Sequence, residues 1–161
     1  MRMKGLVVAG LLMLAAAPAA SAQGVRFAPE LAVGDDTDFG IGARVNFDLT
    51  SLFHTAGFFG TGEFIYFFPG NNVNYWEING NMGYLIPNVH GNVKPYVLGG
   101  LNLGHASVDN CGFDGCSNTD LGANLGGGIN IHTRGKLMPF LEAKVTLGGG
   151  DQFVFTGGLY F

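Results

Sequence analysis

Seven charged residues could act together if the chain brought them to one place: Arg26, Glu30, Arg44, Glu63, Glu77, Glu142 and Lys144. Each stands between apolar or small neighbours, so each occupies the polar side of an alternating pattern. Carboxylates withdrawn from water are costly unless paired and hydrogen-bonded. Arg26, Arg44 and Lys144 are therefore expected to pair with Glu30, Glu63, Glu77 and Glu142. Other chemistry is thinly supplied. Nucleophilic catalysis needs a nucleophile, a histidine and an acid that converge. His54, His90, His105 and His132 fall in turns or at a strand end, and no catalytic residue is assigned. Gly126-Gly127-Gly128 lies within a strand pattern and precedes no helix, unlike a phosphate-binding loop. Cys111 and Cys116 are the only cysteines. Their C-x4-C spacing is not the redox C-x-x-C, and without clustered histidines it is no zinc site. Asp35, Asp36 and Asp38, with Asp109, Asn110, Asp114, Asn118 and Asp120, offer oxygens of the kind calcium takes. They lack the EF-hand spacing and are ordinary turn residues. No metal and no cofactor is expected.

The elements that must position these residues are strands. In Phe39 to Leu49, Phe39, Ile41, Ala43, Val45, Phe47 and Leu49 alternate with Gly40, Gly42, Arg44, Asn46 and Asp48. Successive strand side chains point to opposite faces, so one face is apolar and the other polar. The same period runs through 25–33, 75–85, 94–104, 121–131, 138–147 and 153–161. Segment 57–68 is mixed, because Phe59, Ile65 and Phe67 share the face of Glu63. Either that face is partly apolar or a bulge shifts the phase. The polar faces gather the seven charges with Asp48, Asn79, Asn81, Asn102, Asn124 and Asn130. The turns fall at 34–38, 50–56, 69–74, 86–93, 105–120, 132–136 and 148–152. The longest is 105–120, and it holds both cysteines.

The chain opens with the basic residues Arg2 and Lys4, an apolar run from Leu6 to Ala17, and the small-residue site Ala20-Ser21-Ala22. This is the layout of a cleaved secretory signal peptide. Cleavage after Ala22 would divide the chain into a leader, 1–22, and one domain, 23–161. Losing Arg2 and Lys4 takes the formal charge from −4 to −6, which excludes a basic nucleic-acid footprint. In an exported chain, two cysteines in one loop are expected to form a local Cys111–Cys116 disulfide. Glycine is abundant, at 28 of 161 residues, and is scattered inside strands, where it lets a sheet bend. Sparse charge with many Gly and Phe suits an outer surface that meets lipid.

The last strand sets Phe153, Phe155, Gly157, Leu159 and Phe161 on one face and ends on the aromatic Phe161. Left open it would be an aggregation-prone edge; closure onto the first strand removes that edge. This strand resembles the C-terminal assembly signal of bacterial outer-membrane barrels, which the barrel-assembly machinery recognises. The whole of 23–161 is similar to the small eight-stranded outer-membrane barrels, of the outer-membrane protein A transmembrane-domain and opacity-protein type. Tyr66-Phe67-Phe68-Pro69-Gly70, Tyr75-Trp76-Glu77-Ile78-Asn79 and Lys94-Pro95-Tyr96-Val97 with Gly99-Gly100 carry that likeness. Eight strands of about 9–11 residues are long enough to cross a membrane with tilt.

The expected fold is therefore all-β: an eight-stranded antiparallel up-and-down transmembrane barrel. The expected place is the bacterial outer membrane, reached through the Sec pathway. With a periplasmic amino-terminus, turns 34–38, 69–74, 105–120 and 148–152 face outward. The implied partners are membrane lipid and lipopolysaccharide, with the assembly machinery during biogenesis, and the chain is expected as a monomer. Eight strands enclose a space that side chains just fill, so the expected role is structural or surface-interacting, with a plugged polar lumen and no catalysis. A narrow channel for ions or small solutes is the alternative, and a lipid-modifying enzyme a further one. A secreted barrel of lipocalin type would need an apolar interior. Whether Glu30, Arg44, Glu77 and Lys144 point inward separates these readings.

Overall fold

A computed structural model describes residues 24–70, 73–87, 89–108, 116–148 and 151–161. The leader and Cys111 lie outside the described residues. Eight strands follow one another: β1 Val25–Gly34, β2 Asp38–Asp48, β3 Phe58–Phe67, β4 Val73–Leu85, β5 Val93–Val108, β6 Cys116–Ile131, β7 Met138–Leu147 and β8 Gln152–Tyr160. Each pairs antiparallel with the next, and β8 pairs back onto β1 to close a barrel. The closing register sets Glu30 against Gly158 and Gly34 against Val154. Beyond β8, Phe161 N donates to Phe27 O at 3.0 Å, so the terminal aromatic residue is tied into the seam.

Alternation decides which face is which. The apolar set of each strand faces out: Leu31, Leu101 and Leu125 are more than half exposed. The polar set faces in: Glu30, Arg44, Glu77 and Lys144 are between 0 and 3 % exposed. An apolar outside and a charged inside is the inverse of a lipocalin-type barrel and the arrangement of a barrel in lipid. Aromatic residues collect near both rims, as membrane-interface girdles do. Phe39 stacks on Phe68, and Phe64 meets Trp76, toward one end; Phe53, Phe58 and Tyr84 meet at the other.

Two expectations about elements are corrected. The polar connection 105–120 is mostly strand, since β5 and β6 stay paired out to Val108 and Cys116. Only β5 pairs with β6 over 116–122, so β6 rises above β7 here, while β4 stays paired with β5 out to Val108. The turn 50–56 contains a one-turn helix, α1, Thr50–Phe53. The mixed third strand needs no bulge: β3 stays in step with β2 and β4 throughout, and Phe59, Ile65 and Phe67 are buried inside. Room for Phe59 comes from Gly83 on β4, where a Cβ would run into the Phe59 ring.

Candidate functional site

The lumen is built from inward residues on every strand. Arg44 of β2 stands at its centre. Its Nε donates to Glu30 Oε2 at 2.9 Å on neighbouring β1. Its two Nη atoms reach across the barrel to both oxygens of Glu142 on β7, at 2.6 and 2.8 Å. Nη2 also lies 3.2 Å from Glu63 Oε1 on β3. The guanidinium sits 4.3 Å from the centre of the Phe140 ring, within cation–π range. Lys144 completes the cluster, its Nζ 2.5 Å from Glu63 Oε2. Tyr96 Oη donates to Glu142 Oε2 at 2.7 Å. Such two-pronged, charge-assisted bonds are the strong class, and they fix geometry as well as charge.

Glu77 does not join this cluster. Neutral donors hold it instead: Tyr75 Oη at 2.8 Å, Asn79 Nδ2 at 3.3 Å and Gln152 Nε2. Arg26 is not inside either. It is exposed at the barrel mouth, where its Nη1 contacts Met138 Sδ at 3.2 Å. Position explains this: Arg26 is the second residue of β1, and Glu30 lies four residues deeper. Between the two charged groups, amides take over. Asn102 and Asn124 donate to Asn79, Asn124 also to Asn81, and Asn81 to Glu63 at 2.9 Å. Thr146 Oγ1 donates to Asn124 at 3.1 Å.

Apolar groups close over this network. Toward the mouth where β1 begins, Ala28, Met138, Phe140 and Tyr160 form one cluster, and Phe59, Tyr96 and Leu98 another. Toward the opposite end, Ala32, Ile65, Phe67 and Val154 pack with Tyr75. Periodicity places Tyr96, Phe140 and Gln152 on inward faces, yet only the structure reveals them as partners of Glu142, Arg44 and Glu77. Cross-barrel neighbours cannot be read from strand phase.

The remaining sites separate by location. Phe153 and Phe155 of the terminal strand face outward, and Leu159 is half-buried. Cys116 opens β6 opposite Val108 and is exposed. His105, expected in a loop, belongs to β5, where its ring stacks on Trp76 and its Nδ1 is 2.7 Å from Thr119 Oγ1. Among the described residues, no cluster of His, Cys, Asp and Glu could hold a metal ion.

A closed eight-stranded barrel with a charged interior and a lipid-suited exterior has an established counterpart. The model of the outer membrane protein beta-barrel domain matches residues 6–151. The chain belongs to that family. Membership of the outer membrane protein beta-barrel domain family assigns it to the bacterial outer membrane. No curated protein matches it as a relative. Solved structures share its fold. The N-terminal beta-barrel domain of Pseudomonas aeruginosa OprF superposes with a TM-score of 0.68 at 14 % identity, covering 86 % of this chain and 97 % of that one. Neisserial surface protein A gives 0.55 at 16 % identity, over 84 % and 91 %. The outer membrane enzyme PagL gives 0.51 at 11 % identity, over 84 % and 96 %. At such identities the likeness is one of fold, and it spans proteins of unlike roles.

Proposed function

We propose that the chain is a structural, surface-interacting barrel of the outer membrane whose lumen is a plug rather than a path. One observation carries this reading: a salt-bridged core formed by Arg44, Lys144, Glu30, Glu63 and Glu142 lies between apolar clusters. A conducting path would need these groups to part and water to replace them, against strong charge-assisted bonds. In this reading the buried acids serve strand register and barrel closure, and no catalytic step is assigned to them. The exposed apolar belt meets lipid. The polar rim toward Asp35, Asp38, Asp120 and Asp151 meets lipopolysaccharide, and the leader 1–22 is removed during Sec export. Planar-bilayer recording of the purified barrel is the test. The plug predicts no steady conductance; reproducible ohmic steps that follow protein addition would replace it with the channel.

A further inference from the structure

The barrel mouth where β1 begins and β8 ends contains a cavity of about 210 Å³. Three features point to an occupant. First, it contains a polar atom with nothing to bond: Asn130 is 92 % buried, lines this cavity, and its Oδ1 has no hydrogen-bond partner among the described residues. A buried acceptor left bare is costly, and such groups are normally satisfied by protein, water or ligand. Second, Arg26 lines the same cavity, and its one described hydrogen bond is to a thioether, Met138 Sδ. A guanidinium so placed keeps most of its five donors for another acceptor. Third, His132 lines both this cavity and the adjoining hollow of about 410 Å³, to which Lys136 also contributes.

The charge map of the whole barrel agrees. Strand order puts Arg26, Lys94, Arg134 and Lys136 at this end, with Asp48 as the one side-chain acid there among the described residues. Asp48 lines the cavity with Arg26, and its Oδ1 is engaged by the backbone N of Thr50 at 2.7 Å. Asp35, Asp36, Asp38, Asp120 and Asp151 lie at the other end, which has no Lys or Arg among the described residues. A mouth of one sign raises the local concentration of ligands of the other sign. The floor is apolar: Phe59, Leu85 and Met138 line it. The volume is below the range of drug-sized pockets, so the occupant must be small. The lining residues Arg26, Asn46, Asn130 and Met138 are on the inward phase of their strands, so entry is along the barrel axis from water and not from the lipid side.

We propose that this mouth cavity binds a small organic anion that carries a hydrogen-bond donor beside its charge, of the hydroxy-carboxylate class. Arg26 takes the charge, with His132 beside it, Asn130 Oδ1 accepts from the neighbouring donor, and the short carbon body rests on Phe59 and Leu85.

The test uses barrel purified from outer-membrane fractions in detergent micelles, followed by NMR of the Arg26 Nε–H, the Asn130 side-chain amide and the His132 ring. Lactate is the probe, acetate the same charge without the donor, and choline chloride the control for ionic strength. Saturable shifts at these three residues are expected with lactate. Acetate should bind about three- to tenfold more weakly, the size of one hydrogen bond. Arg26→Gln should weaken both at least tenfold. Asn130→Ala should abolish the preference for lactate while leaving acetate binding in place. The two variants act independently, so misfolding of one, read as lost heat-modifiable gel mobility, leaves the other decisive. Linear drift without saturation, an equal response to choline chloride, equal affinity for lactate and acetate, or full affinity in Arg26→Gln overturns the proposal.

Discussion

Replacing Arg44 with Met probes the plug at its centre. The substitution removes four contacts of 3.2 Å or less to three carboxylates, Glu30, Glu63 and Glu142. Met keeps much of the side-chain volume, so the loss is one of charge rather than of packing. Glu63 retains Lys144, and Glu142 retains Tyr96 Oη. Glu30 keeps no described ion pair, and its Oε1 already lacks a hydrogen-bond partner. Breaking a buried ion pair by deleting one partner costs about 3–5 kcal/mol, mostly because the charge left behind is unpaired. At a urea dependence of about 2 kcal/mol per molar, the unfolding midpoint should fall by roughly 1.5–2.5 M.

The assay is urea unfolding of the barrel in lipid vesicles, followed by heat-modifiable gel mobility and by fluorescence of Trp76, the single tryptophan. A second variant isolates the cause. Adding Glu30→Gln and Glu142→Gln to Arg44→Met removes the stranded charges, and most of the lost stability should return, because contacting groups do not act additively. A midpoint unmoved by Arg44→Met would mean that water already solvates the cluster, which is the condition of a channel. A loss that the triple variant leaves uncorrected would mean that unpaired charge was not its source.

Three further outcomes are expected. Deleting Phe161 should lower the amount of barrel in outer-membrane fractions and raise its periplasmic degradation; unchanged yield and mobility would count against an assembly signal in the last strand. Thiol labelling of exported protein under denaturing, non-reducing conditions should find neither Cys111 nor Cys116 free, and replacing both with Ser should leave the barrel folded, since β5 and β6 stay paired below that loop. Gly100→Ala should cost about 1–3 kcal/mol by overpacking, because its Cβ would strike Gly80 O and Asn81. Gly80→Ala, with open space around its Cβ, should be close to neutral, and equal costs at the two positions would contradict the packing shown here.

Strand phase was legible because period two is a local property. Phe39 to Leu49 announces both faces of β2 without reference to any other strand, and burial of Arg44 between exposed Ile41 and Phe47 follows from it. The rest depends on depth and on what faces a residue across the barrel. Arg26 has the same alternating neighbours as Arg44, yet it stands near the start of its strand, so it meets solvent, Met138 and the exposed Asp48 instead of the buried carboxylates. Glu77 looks like Glu63 in sequence, but its partners are Tyr75 on its own strand and Gln152 across the lumen rather than Lys144. The connection 105–120 reads as a polar loop because its residues are polar. Its β6 arm rises above β7 at the rim, where polar side chains on both faces incur no desolvation cost, so Ser107 and Ser117 pair as strand residues.

The charged core also explains how a strand rich in small residues keeps its register. Moving a strand by two residues keeps every side chain on its own face, so apolar burial alone resists such a slip weakly. The same move displaces a residue along the strand by about 7 Å. Arg44 and Glu142 lie on β2 and β7, across the lumen, and meet at 2.6 and 2.8 Å. A displacement of that size separates them entirely and strands both charges. Tyr96 on β5 and Glu30 on β1 bind the same pair, so slips of four different strands are penalised by one group of side chains. Buried ion pairs can be a poor source of net stability and still exclude alternative arrangements. The triple variant of Arg44, Glu30 and Glu142 can therefore regain stability and lose uniqueness. Its amide NMR spectrum should then contain more than one set of resonances for β1 and β2, where the parent gives one. A single sharp set would show that the turns and the closing seam suffice to hold the register.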